Sequence, residues 1–70
     1  MTRKDAAEKI MEYIASFCKQ YGYGPSVRDI TEHMGWRSTN SARHYLDRLR
    51  LAGKVTWTDG RARTIRLTGR

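Results

Sequence analysis

The chain has 70 residues, fourteen Lys and Arg against seven Asp and Glu, and 39% hydrophobic content. That length supports one domain over residues 1–70, near the lower limit for folding without covalent or metal cross-links. The single Cys18 excludes an internal disulfide, and two histidines with one cysteine at unrelated spacings exclude a zinc cluster, so neither metal nor other cofactor is expected.

The first helix has a start signal at Thr2, with Asp5 three residues on as a variant capping box. Ile10, Tyr13, Ile14, Phe17 and Tyr21 recur at three- and four-residue steps and form the stripe of an amphipathic helix. Gly22, Gly24 and Pro25 break it. Ser26 and Asp29 repeat the capping pattern for a short second helix with Val27, Ile30 and Met34 on its core side, and Gly35 is placed to end it.

Ser38 or Thr39 can cap a third helix after the Trp36–Arg37 turn. On a helical wheel Ala42, Tyr45, Leu46 and Leu49 share one arc. Asn40, Arg43, His44 and Asp47 share the opposite one, flanked by Ser41 and Arg48. Gly53 stops this helix. A hairpin follows, with limbs 54–58 and 62–68 around Asp59 and Gly60.

The hairpin's apolar residues set its register. A two-residue loop at Asp59-Gly60 would pair Val55 with Thr64 and put Ile65 on the wrong face, because a one-residue slip inverts every side chain. Pairing Val55 with Ile65 and Trp57 with Arg63 keeps Val55, Trp57, Ile65 and Leu67 together, and predicts a three- or five-residue tip centred on Gly60. The expected class is mainly α with a small β-hairpin: a three-helix winged helix-turn-helix.

Charge locates the working face. Residues 1–35 hold five cations and five carboxylates, whereas residues 36–70 hold nine cations against Asp47 and Asp59. A neutral scaffold joined to a basic half points to a polyanion, here duplex DNA. The second and third helices are joined by only Gly35, Trp36 and Arg37, the connection length of a helix-turn-helix whose second helix enters the major groove. The residues then expected at base edges are Ser38, Asn40, Ser41, Arg43 and His44: Arg reads guanine O6 and N7 together, Asn does the same for adenine, and Ser serves either. Arg37, Arg48, Lys54, Arg61, Arg63 and Arg66 suit phosphates, which position the domain without reading sequence. Asp47 would be screened by Arg43 or Arg50. Trp36, Trp57, the tyrosines and Cys18 are read as packing residues, and His33 as structural or solvated.

The stretch 22–67 resembles the N-terminal DNA-binding domain of the LexA family of bacterial SOS repressors. The resemblance is carried by Gly22-Tyr23-Gly24-Pro25-Ser26, Arg28, Ile30, Gly35-Trp36-Arg37-Ser38, Asn40, Ala42, Leu46, Leu49, Gly53 and Ile65-Arg66-Leu67. It implies transcriptional repression at an operator of inverted half-sites resembling CTGT, with two copies able to pair on the DNA, in the bacterial cytoplasm or nucleoid. It also places the family's base contacts on Ser38, Asn40, Ser41, Arg43 and His44. Arg28 and Thr39 complete the expected phosphate set. Arg43 and His44 depart from the family, whose best-known members carry acidic residues there.

The resemblance covers the DNA-binding half only, without the Ser-Lys protease domain that dimerises LexA proteins and cleaves their linker. An isolated domain of a longer protein and a stand-alone regulator of the kind phages and mobile elements encode both fit. No apolar run reaches the length of a membrane span, and the sequence has neither a phosphate-cradling glycine loop nor a nucleophile–base pair, so neither a membrane role nor an enzyme with a small-molecule substrate is expected. The alternative function is a winged-helix module that binds an acidic protein or RNA.

Overall fold

The computed structural model describes residues 5–68, in the order α1 (Ala6–Tyr21), α2 (Val27–Met34), α3 (Thr39–Leu51), β1 (Val55–Thr56) and β2 (Arg66–Leu67). This is the three-helix winged architecture expected. The start signal at Thr2 lies outside the described residues, and Asp5 is itself the N-cap of α1. Its backbone is extended, and its carboxylate accepts the Glu8 N–H at 2.9 Å.

Local hydrogen bonds close both ends of α2. The Ser26 hydroxyl accepts the Asp29 N–H at 3.0 Å while the Asp29 carboxylate accepts the Ser26 N–H at 3.1 Å, a complete capping box. At the other end Gly35 takes φ 75°, which a side chain would resist. The Trp36 N–H then donates to the Thr31 carbonyl at 3.0 Å and satisfies the last turn. The chain is thereby turned into α3 by bonds that span five residues or fewer.

The core collects one face from every element. Ile10 and Ile14 of α1, Ile30 of α2, and Ala42, Leu46 and Leu49 of α3 meet Val55 of β1 and Ile65 beside β2. Trp36, Tyr45, Trp57, Cys18 and Leu67 are partly buried against them, as their packing roles required. Tyr21 and Tyr23 depart from that role: they are 50% and 46% exposed and cluster with Phe17 outside the core. Trp36 stacks on Tyr45 beneath the turn (centroids 5.5 Å apart), and His33 stacks on Tyr13 (4.0 Å). Each fully buried aliphatic side chain contributes about 1.5–3 kcal/mol of transfer free energy.

The wing corrects the expected register. Val55 pairs with Leu67 and Thr56 with Arg66, so the ladder has slipped by two residues and contains two pairs. Residues 57–65 form the connection, in place of a three- or five-residue tip. A slip of two preserves the side-chain face, so Val55 and Ile65 still reach the core. The longer connection has its own bonds: the Thr64 hydroxyl accepts the Thr58 N–H at 2.9 Å and lies 3.2 Å from the Arg61 carbonyl oxygen. Its return limb is tied to the helices, because the Gly24 N–H donates to the Arg63 carbonyl at 3.2 Å.

That crossing requires glycine. A Cβ on Gly24 would lie 1.7 Å from the Ile65 carbonyl oxygen, a backbone atom that cannot swing aside. Gly24→Ala should therefore destabilise the domain by about 3 kcal/mol, at the upper end of overpacking costs, and lower the melting temperature followed by circular dichroism.

A second expectation concerns acid. The Asp29 carboxyl is held below its ordinary range, chiefly by the Ser26 backbone N–H, with help from the Ser26 side chain and the Arg63 charge and against the effect of burial. A depressed folded-state value gives stability that is present above the unfolded carboxylate range and is lost as pH falls through the folded value. In thermal melts stepped from pH 7 to about pH 3, the wild type should lose more stability below about pH 4 than Asp29→Asn does.

Candidate nucleic-acid interface

α3 supplies the exposed polar edge. Ser38 is its N-cap, and its hydroxyl oxygen accepts the Asn40 N–H at 3.3 Å. The hydroxyl proton remains available to an outside acceptor. Asn40, Ser41, Arg43 and His44 are exposed, as is Ser38, while Ala42, Leu46 and Leu49 on the opposite side are buried. Among the described residues no ion pair or hydrogen bond engages the Arg43 side chain. This helix has a neutral first turn and carries Arg48 and Arg50 in its last, so its cations begin at Arg43 and gather toward its C-terminal end.

Arg43 and the wing share a cleft of 480 Å³. Its lining includes Arg43, Asp47, Trp57, Arg61 and Arg63, with Ser26 at the start of α2. Three of the sequence-selected cations are thus gathered on one opening. Arg48 and Lys54 lie apart from it, around a smaller depression that Asp5 and Tyr45 also line. Arg37, Arg61 and Arg66 are exposed, and Thr39 is half-buried in the first turn of α3.

Other cations are committed inside the domain. Arg28 lies 3.7 Å from Glu32 one turn along α2, an exposed pair worth a few tenths of a kcal/mol at most. Arg63 donates to Asp29 at 3.2 Å. Arg50 does not screen Asp47: it turns to Asp59 at 3.4 Å and lies over the Trp57 ring, 4.2 Å from its centroid. Asp47 has no ion-pair partner among the described residues and remains an exposed carboxylate on the basic edge.

Sequence reasoning missed the Asp29–Arg63 and Arg50–Asp59 contacts. Asp29 was fully accounted for as a cap, and its cationic partner lies 34 residues away. In the sequence Asp59 reads as an ordinary turn residue. Spacing does not reveal that its carboxylate also accepts the Trp57 indole N–H at 3.1 Å.

No group of three or more His, Cys, Asp or Glu among the described residues is arranged to hold a metal ion. No helix among them is long and apolar enough to cross a membrane.

Known proteins resemble this chain in sequence. The sequence profile of the LexA DNA binding domain covers residues 2–64. The chain is 36% identical over 62 residues to the transcription regulator LexA of Synechocystis sp., covering 89% of this chain and 30% of that protein. It is 40% identical over 53 residues to the LexA repressor of Opitutus terrae, covering 76% of this chain and 26% of the relative. For the LexA repressor of Caldicellulosiruptor saccharolyticus the identity is 34% over 67 residues, covering 96% of this chain and 32% of the relative. The chain therefore spans only about a third or less of the curated relatives it matches. With the profile running from the first helix into the wing, the chain belongs to the LexA DNA-binding domain family.

Proposed function

We propose that this chain is a sequence-specific duplex-DNA-binding module of a transcriptional regulator, acting most simply as a repressor by occupying a promoter. One observation carries the reading: α3 presents Ser38, Asn40, Ser41, Arg43 and His44 to solvent beside a cationic cleft, with the Arg43 guanidinium left unpaired among the described residues.

In this reading α3 lies in the major groove, and its first two turns read base edges. Arg43 donates to guanine O6 and N7, Asn40 pairs with adenine, and the Ser38 and Ser41 hydroxyls adapt to either. Arg37, Arg48, Lys54, Arg61 and Arg66 hold phosphates and release counterions, which supplies much of the affinity, and the Thr39 hydroxyl adds a neutral hydrogen bond to the backbone. Arg28, already tied to Glu32, adds less. A single module buries limited surface on DNA, so two copies occupy inverted half-sites for tight binding.

Arg43 and His44 stand where the best-known LexA proteins carry acidic residues. A carboxylate accepts from cytosine N4, whereas Arg donates to guanine, so the operator is shifted toward guanine at the contacted position. Binding-site selection on random duplexes tests this directly, and recovery of the ordinary SOS consensus would refute the shift. Failure to survive competition by random DNA would instead favour a generic polyanion binder, such as a module for RNA or an acidic protein.

Two further outcomes are expected. With about five phosphates held per copy, log K should fall against log salt with a slope of about −4 to −5 per copy in titrations from low to moderate salt. Arg43→Ala should cost about 1–3 kcal/mol on the selected site and relax preference at that base. Equal losses on selected and random duplexes would remove Arg43 from the reading set.

A further inference from the structure

The wing is fastened to the helices at two places, and each fastening uses an arginine. On the return limb, Arg63 Nη1 lies 3.2 Å from Asp29 Oδ2, and the guanidinium sits over Tyr23, 5.4 Å from the ring centroid. On the outgoing limb, Arg50 lies over the Trp57 ring and donates to Asp59 Oδ1 at 3.4 Å, the same oxygen that accepts the Trp57 indole N–H at 3.1 Å.

Three features single out the first fastening. The Asp29 carboxylate is already oriented by the Ser26 N–H at 3.1 Å, so Arg63 meets an acceptor whose ordering cost is met by the helix cap. Arg63 adopts φ 61°, the one non-glycine residue in the left-handed region among the described residues. Such a backbone persists where surrounding contacts over-determine it. The Arg63 carbonyl, on the same residue, accepts the Gly24 N–H at 3.2 Å. Main chain and side chain together therefore clasp the loop before α2 and its first turn.

We infer that Asp29 and Asp59 are positioning residues that fix the pitch of the wing against α3 by engaging Arg63 and Arg50, which act within the domain and not as phosphate ligands. The inference rests on the DNA-binding reading above and revises the phosphate role expected of Arg63. Arg61 and Arg66, whose side chains have no carboxylate partner among the described residues, carry the wing's electrostatic contact. Wing pitch matters because the outgoing and return limbs frame the same cleft that Arg43 lines. A wing free to swing would leave the affinity for any duplex largely intact while loosening the register of α3 on its preferred site.

The test has two arms with separate points of failure. In the free protein, hydrogen exchange at the Gly24 amide reads the clasp without DNA. Arg63→Gln should accelerate it about five-fold, Asp29→Asn should do so at least as much because it also weakens the cap, and the double variant should go no further than Asp29→Asn alone. Arg63→Gln leaves the capping box intact, so the arm stands even if Asp29→Asn unfolds α2. Unchanged exchange in Arg63→Gln overturns the clasp.

In the DNA arm, a duplex from site selection and a random duplex are titrated across salt. Arg63→Gln should weaken the selected site about five-fold with an unchanged salt slope, and Arg63→Lys should recover part of the loss. Arg61→Ala should flatten the slope by about 0.9. Asp59→Asn should behave as Arg63→Gln does, with a smaller effect, because Asp59 is 80% exposed. The opposing account predicts otherwise: if Arg63 reaches phosphate, Arg63→Gln flattens the slope by about 0.9, or weakens the selected and random duplexes alike. Either result overturns the inference. A wild type without preference for any duplex defeats the DNA-binding reading instead, and the exchange arm still decides the clasp.

Discussion

At Gly24 the return limb of the wing crosses the helical layer so closely that a methyl group there would meet the Ile65 carbonyl oxygen at 1.7 Å. Much of the tertiary structure follows from that approach. It lets the Gly24 N–H reach the Arg63 carbonyl and brings Ile65 to 7% exposure against Ile10 and Ile14. It also sets the Cys18 thiol 3.8 Å from the Ile65 carbonyl. The hairpin is far too short to be stable alone, since a two-pair ladder has little surface of its own to bury. It exists as a wing because the helices accept it at this one narrow crossing.

The helices were legible in the sequence because their determinants are local. Ser26 with Asp29 announces α2, Gly35 ends it, and the spacing of Ala42, Leu46 and Leu49 orients α3. The polar edge of α3 followed from the same wheel, so Ser38, Asn40, Ser41, Arg43 and His44 are exposed as the pattern required. The wing was legible only in parity. Alternation placed Val55, Ile65 and Leu67 on one face, but which pair faces which was decided by the Thr64 hydroxyl and by the crossing at Gly24. Those contacts join distant parts of the chain, and spacing holds no record of them.

Charge behaves similarly. The sequence locates the surplus of cations in residues 36–70, yet it cannot say which of them are already engaged. Arg50 and Arg63 turn inward to Asp59 and Asp29, while Arg37, Arg43, Arg48, Lys54, Arg61 and Arg66 form no ion pair among the described residues. Two carboxylates thus divide one basic half into arginines that have a partner within the domain and cations that have none among the described residues. Asp47 remains the exception: nothing in the fold explains an unpaired carboxylate on that edge, and its cost in the field of a polyanion is real.

The exposed edge of α3 has one more consequence. Asn40, Ser41 and Arg43 project from a helix whose cap is made by Ser38 and whose burial is supplied by Ala42, Leu46 and Leu49, so their side chains support nothing beneath them. Exchanging them leaves the stability of the domain nearly untouched, since surface substitutions of this kind stay within about 0.5 kcal/mol. On the proposed reading of α3, selection can therefore rewrite which nucleotides are recognised without first repairing the scaffold, so that target and fold are free to change separately.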